Sequence, residues 1–150
     1  MGKINMRRVL VGGLLAGGLL GIIDVLVYGI VLKAPMAASW QAFGKPTMTN
    51  AQRSLEVPLS LFLDFVAGMF LVWVYAAIRP RFGTGSMTAM KAGLVGWFMA
   101  ALLCTAFMAQ GVMPGSIVII TTLVLLVEYP LAVVFGAKFY AEGAVVKKTT

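Results

Sequence analysis

The chain alternates long apolar runs with short polar ones. Four runs, over residues 9–32, 57–78, 92–112 and 116–137, hold 21 to 24 residues each, and a bilayer helix needs roughly 17–25. Glycines and prolines inside them do not argue against helix, because lipid penalises every backbone group left unbonded within its own segment. The pattern predicts an all-α fold in which residues 1–150 form one membrane domain, an antiparallel bundle of four transmembrane helices. Lys3, Arg7 and Arg8 give the first run the basic start of a secretory signal. It is longer than the ~7–15 apolar residues of a signal core and carries Asp24, so it reads as an uncleaved span.

The connections differ in kind. Met113-Pro114-Gly115 is a tight turn, which makes the third and fourth spans antiparallel neighbours. Arg79-Pro80-Arg81-Phe82-Gly83-Thr84-Gly85 reads as a short breaker-rich loop, with Ser86 as the N-cap of the next helix. The connection from Lys33 to Glu56 is long. Within it Pro35 suits the first turn of a helix and Gly44 its end. Met36, Trp40 and Phe43 fall on one face, so a short interfacial helix is expected in this first external loop.

Composition supports the membrane reading. The AVILMFWYC set is 61% of the chain before its 17 glycines are counted, and charged residues are 11%, where soluble domains carry about 25% charged residues. A water-soluble globule could not cover its surface with so few charges. The sequence has no histidine, which argues against histidine-ligated haem, zinc or di-iron and against Ser-His-Asp or Cys-His catalysis. The single cysteine, Cys104, cannot close an internal disulfide or complete a CxxC pair. No catalytic residue, metal site or cofactor is expected.

Charge sets the orientation. Lys3, Arg7, Arg8, Arg79, Arg81, Lys91, Lys138, Lys147 and Lys148 fall on one side of the membrane, and only Lys33, Lys45 and Arg53 on the other. By the positive-inside rule the nine mark the cytoplasm, giving N-in and C-in. The net charge of +7 fits attraction to anionic lipid at the cytoplasmic face, worth about 1 kcal/mol per residue. Clusters separated by lipid-facing helix do not suit nucleic acid.

Three acids lie inside spans: Asp24, Asp64 and Glu128. A charge at the bilayer centre costs about 2.5–3.5 kcal/mol on insertion scales, so each position needs a reason. Helical spacing supplies one. Gly13, Gly17, Gly21 and Asp24 share a face of the first span; Ser60, Asp64 and Gly68 share one of the second; Glu128, Ala132 and Gly136 share one of the fourth. The third span has its own stripe, Ala92, Gly96, Ala100 and Cys104. Small residues at this spacing let helices approach closely, so Gly13, Gly17, Gly21, Gly68, Gly96 and Gly136 are read as packing positions and each acid as facing a neighbouring helix.

Depth points the same way. Asp24 falls ~12 Å and Asp64 ~10 Å below the outer surface, and Glu128 ~18 Å down its span. No Lys or Arg lies within a span to neutralise them, so at least one is expected to hold a proton at neutral pH. Tyr28, Ser60, Thr105, Gln110, Thr121, Thr122 and Tyr129 are candidate hydrogen-bond partners. Three roles fit: neutral polar glue between helices, a proton relay or cation site, or pairing with a basic residue or cofactor of a partner subunit. Among the remaining residues, Trp73, Tyr75 and Trp97 read as an aromatic belt, the ten methionines as gap-filling core residues, and Cys104 as a packing residue.

The stretch from Phe70 to Gly83, then Gly93-Leu-Val-Gly-Trp97, then Leu126 to Gly136 with Phe139-Tyr140, together with the opening Arg8 to Gly17, resemble a loose family of short four-span bacterial inner-membrane proteins of unknown function. The resemblance implies a bacterial inner membrane and this topology, and it brings no activity or site. Two functional classes follow. The favoured one is a non-enzymatic accessory or structural subunit, packed through its small-residue faces against other membrane subunits. The rival is a small proton- or cation-coupled transporter or channel, a homo-oligomer working through Asp24, Asp64 and Glu128.

Overall fold

A computed structural model describes residues 4–45 and 49–140, with backbone only at residues 50 and 53. Of the basic residues that set the expected orientation, Lys3, Lys147 and Lys148, and the side chain of Arg53, lie outside this description. The described chain is all-helical: α1 (Met6–Leu26), α2 (Lys33–Ala42), α3 (Asn50–Phe82), α4 (Ser86–Ala109) and α5 (Gly115–Ala137). Four segments are long and apolar enough to cross a membrane: Met6–Val31, Ser54–Phe82, Ser86–Ala109 and Gly115–Ala137. The chain is a multi-pass membrane protein.

Local chemistry sets the helix ends. Asn5 caps α1 by accepting from the Arg8 N–H at 3.2 Å. After Leu26 the helix widens into a π-helical turn, Val27–Val31, closed by the Leu32 N–H on the Val27 carbonyl at 2.7 Å. α2 follows at once, with Pro35 in its first turn, and Gly44 leaves it at φ +81°. Met36, Trp40 and Phe43 share one side, and the Trp40 and Phe43 rings meet edge-on at 6.3 Å.

α3 is longer than its apolar run. It begins at Asn50, seven residues before the start expected from hydropathy, because Thr49 and Gln52 form a reciprocal capping box. It also continues through Pro80 to Phe82. The expected Arg79–Gly85 loop is thus reduced to Gly83, Thr84 and Gly85, with both glycines at positive φ. Ser86 is the first residue of α4 and not its cap. Gly85 holds the cap position without a side-chain bond, while the Thr88 hydroxyl donates to the Phe82 carbonyl at 3.2 Å and ties the two helices together.

α1 packs on α3 and α5, and α3 also packs on α4 and α5. The α4–α5 pair is joined by the short turn at Met113-Pro114, as antiparallel neighbours should be. The core lies towards the end that carries the α1 start, the α5 finish and the α3–α4 loop, here called the terminal end. Leu20, Leu71, Val72, Tyr75 and Val133 are buried there with Ala16, Ala89, Ala92 and Ala132. Tyr140 closes this end: its ring meets Tyr75 edge-on at 5.9 Å, lies 5.4 Å from the Arg79 guanidinium, and its hydroxyl accepts from the Asn5 N–H at 3.4 Å.

At the opposite end, which carries α2, the bundle opens. Leu55, Leu59 and Phe62 are 73%, 58% and 62% exposed, and the first turns of the α3 span are uncovered on every side. From Thr105 to Ala109 every residue of α4 is exposed as well. The Lys45 ammonium fastens the end of α2 to the α4–α5 turn by donating to the Val112 carbonyl at 3.2 Å.

Candidate functional site: a string of carboxyls

The backbones approach most closely along the small residues. A Cβ on Gly13 would lie 2.5 Å from the Met69 Cα, one on Gly17 2.5 Å from the Phe65 Cα, and one on Gly68 2.6 Å from the Gly17 Cα. Side chains there would force α1 and α3 apart. Gly136 of α5 meets the Gly12 carbonyl, 2.5 Å from its would-be Cβ. Gly21 and Gly96 face side chains, Leu61 and Leu71 respectively. The contact between α4 and α5 falls on Gly93, whose Cβ would meet the Pro130 Cα at 2.5 Å. Gly12 and Gly93 belong to neither stripe seen in the sequence. Each sits one helical step from a stripe, on the face turned towards α5.

These crossings bring the acids together. Asp24 is the middle member: its carboxyl comes within hydrogen-bonding reach of both Asp64 on α3 and Glu128 on α5, while Asp64 and Glu128 each touch only Asp24. The arrangement is a string, Asp64–Asp24–Glu128, and no cage. Among the described residues no three His, Cys, Asp or Glu side chains are placed to hold a metal ion. Gly21 makes room for it, since a Cβ there would lie 3.4 Å from Asp64 Oδ2.

Burial is graded along the string. Glu128 is 3% exposed, whereas Asp24 and Asp64 are half-buried. Among the described residues, no N–H or hydroxyl reaches Asp24 Oδ1 or Glu128 Oε2. Two carboxyl oxygens approach within hydrogen-bonding distance only with a proton or another cation between them, and within the chain that hydrogen comes from a carboxyl itself. Carboxyls in this arrangement can share protons.

The expected hydroxyl partners serve elsewhere. Ser60 donates to the Val57 carbonyl at 3.0 Å, Thr105 to Ala101 at 2.8 Å and Thr122 to Val118 at 2.7 Å, each satisfied by its own helix. Gln110 is exposed beyond the end of α4. Two tyrosines do stand by the acids. Tyr28, in the π-turn one helical turn beyond Asp24, has a buried hydroxyl facing Thr121, and Tyr129 lies within electrostatic range of all three carboxyls.

The aromatic belt needs correction. Tyr75 is buried in the core, 3% exposed. Trp97 lies three turns inside α4 and donates its indole N–H to the Thr122 carbonyl at 2.8 Å, so it is an internal helix tie. Only Trp73 is exposed, stacked on Phe70 at 6.2 Å. No protein family matches the sequence, and no curated protein or solved structure is significantly similar to it.

Proposed function

We propose that the protein works in a bacterial inner membrane with both termini in the cytoplasm, and that its carboxyl string handles protons or monovalent cations in coupled transport. The observation that carries this reading is the meeting of Asp64, Asp24 and Glu128 from three helices, with no Lys or Arg in the apolar runs 9–32, 57–78, 92–112 and 116–137. Intramembrane carboxylates facing a bundle interior are the usual material of proton relays. The basic residues at the terminal end support the orientation, drawn to anionic lipid at the cytoplasmic face. The string would then lie towards the external side, where the helices separate. No enzymatic step and no cofactor enters this reading.

The test is reconstitution. In proteoliposomes with a trapped pH dye, the parent protein should pass protons down an imposed gradient. Asp24→Asn and Glu128→Gln should lose most of that flux while remaining folded. Equal flux in the parent and both variants would overturn the reading.

One observation favours a second role, as a subunit of a larger complex. The start of the α3 span and the end of α4 are uncovered on every side, leaving helix surface that a neighbouring membrane subunit can cover. Purification in mild detergent decides this: a stoichiometric foreign partner supports the subunit, and a clean homo-oligomer supports transport.

A further inference from the structure

The two sides of the carboxyl string differ sharply. One turn from each acid towards the terminal end, the same helix faces carry Leu20 of α1, Gly68 of α3 and Ala132 of α5, and all three are buried. One turn further lie Ala16, Val72 and Gly136, also buried. These meet one another: a Cβ on Gly136 would stand 2.9 Å from both the Ala16 Cβ and the Val72 Cγ2. Between the two layers the backbones of α1 and α3 close on each other, with a Cβ on Gly68 meeting the Gly17 Cα at 2.6 Å. None of the six positions has a polar side chain. Leu20 is the one large side chain of the first layer and Val72 that of the second.

Towards the α2 end the same three faces carry Tyr28, Ser60 and Val124. Ser60 is exposed, Tyr28 and Val124 are half-buried, and the Tyr28 hydroxyl faces Thr121 of α5. This side offers oxygen atoms and loose packing, and the other offers hydrocarbon and backbone contact. A charge leaving the string towards the terminal end would cross two dry layers with no polar side chain to receive it.

We propose that the string is a blind pocket open only towards the α2 end, and that Leu20 and Val72 form the gate that closes it from the terminal end. Ions reach the carboxyls from one side. Passage to the other requires α1 to part from α3 and α5 at these two layers, so transfer runs through a conformational cycle and no standing channel exists. The inference rests on the carboxyl string being an ion-handling element, and adds its side of access and its gate.

The experiment uses the full-length protein with Cys104→Ser in sealed membrane vesicles of either orientation. A membrane-impermeant thiol reagent, trimethylammonium-ethyl methanethiosulfonate, is added to the outside. Gln41→Cys and Thr84→Cys, exposed at opposite ends, mark the two faces. Asp64→Cys should react at least about tenfold faster from the Gln41 face than from the Thr84 face. Ala132→Cys, in the first layer, should stay unlabelled from both; it keeps all three acids, so it tests the seal even if loss of Asp64 unfolds the bundle. Reaction of either variant from the Thr84 face at the rate of that marker overturns the proposal, as does an Asp64→Cys that neither face can reach. Leu20→Ala combined with Val72→Ala hollows both layers and should raise passive proton flux in proteoliposomes at least about tenfold over the parent. Unchanged flux in the folded double variant overturns the gate. One-sided labelling without proton flux in the parent overturns the transport reading and leaves the blind pocket standing, whereas parent flux with labelling from both faces overturns this inference alone.

Discussion

Gly68 of α3 rests directly on Gly17 of α1: a methyl group added to Gly68 would lie 2.6 Å from the Gly17 Cα, inside the contact distance of two carbon atoms. The two glycines set the spacing of their helices, and Asp64 and Asp24 lie further along the same pair, where that spacing lets their carboxyls meet. Gly17→Ala and Gly68→Ala should each cost about 1–3 kcal/mol, the usual penalty of overpacking. Leucine at either position should prevent assembly. Gly21→Ala should be milder, because its new methyl meets the end of the Leu61 side chain and no backbone. Detergent-denaturation midpoints check the order; equal losses at Gly17 and Gly21 would contradict the crossing.

The Trp97 indole spans from α4 to the Thr122 carbonyl of α5. Trp97→Phe keeps one aromatic ring but removes the donor and part of the indole's packed volume, so a loss of about 1–3 kcal/mol is expected. Trp73→Phe, at an exposed ring, should leave stability unchanged. Paired thermal melts in one detergent test this. A larger loss at Trp73 would return Trp97 to the interfacial belt.

At the terminal end, Tyr140 packs against Tyr75 and accepts from the Asn5 N–H. Tyr140→Phe removes only the long 3.4 Å bond and should be nearly neutral. Tyr140→Ala empties a buried ring site and should cost about 2–4 kcal/mol. Comparing the two variants by thermal melting isolates packing from hydrogen bonding; similar losses would show that the hydroxyl dominates.

The all-helical fold and its four spans were legible in residue periodicity, because lipid allows few other solutions for long apolar runs. Element ends were less legible. Hydropathy reads residues 50–56 as polar connection, while the Thr49–Gln52 capping box carries helix through them. Stripes at i, i+4 identify which face of a helix carries small residues, but not which neighbour meets it. For that reason Gly12 and Gly93 were missed, each on a face turned to α5. The same limit applies to side chains. Spacing brought Tyr75 and Trp97 near span ends, whereas the α3 and α4 extensions place both inside the bundle.

Orientation can be checked directly. The basic residues predict that Thr150 is cytoplasmic and that the region near Asn50 is external. Reporter fusions at these two positions should give opposite signals. Matching signals would overturn the four-span topology, and reversed ones would place the open end of the bundle in the cytoplasm.

Glu128 allows a sharper separation of chemistry from packing. Its carboxyl is 3% exposed and reaches Asp24, so its shape and its proton are both in use. Glu128→Gln preserves the shape and offers both a donor and an acceptor, while removing the exchangeable acid. The amide can donate to Asp24 permanently, so the isolated protein should assemble with stability within about 1 kcal/mol of the parent. Glu128→Leu removes the polar atoms and leaves Asp24 facing an apolar group, at a cost of about 1–3 kcal/mol. The parent should show a protonated-carboxyl C=O band in its infrared spectrum, weakened in Glu128→Gln although the fold is intact. Collapse of Glu128→Gln would mean that the proton itself holds the helices together. A parent spectrum without that band would contradict a string built on shared protons.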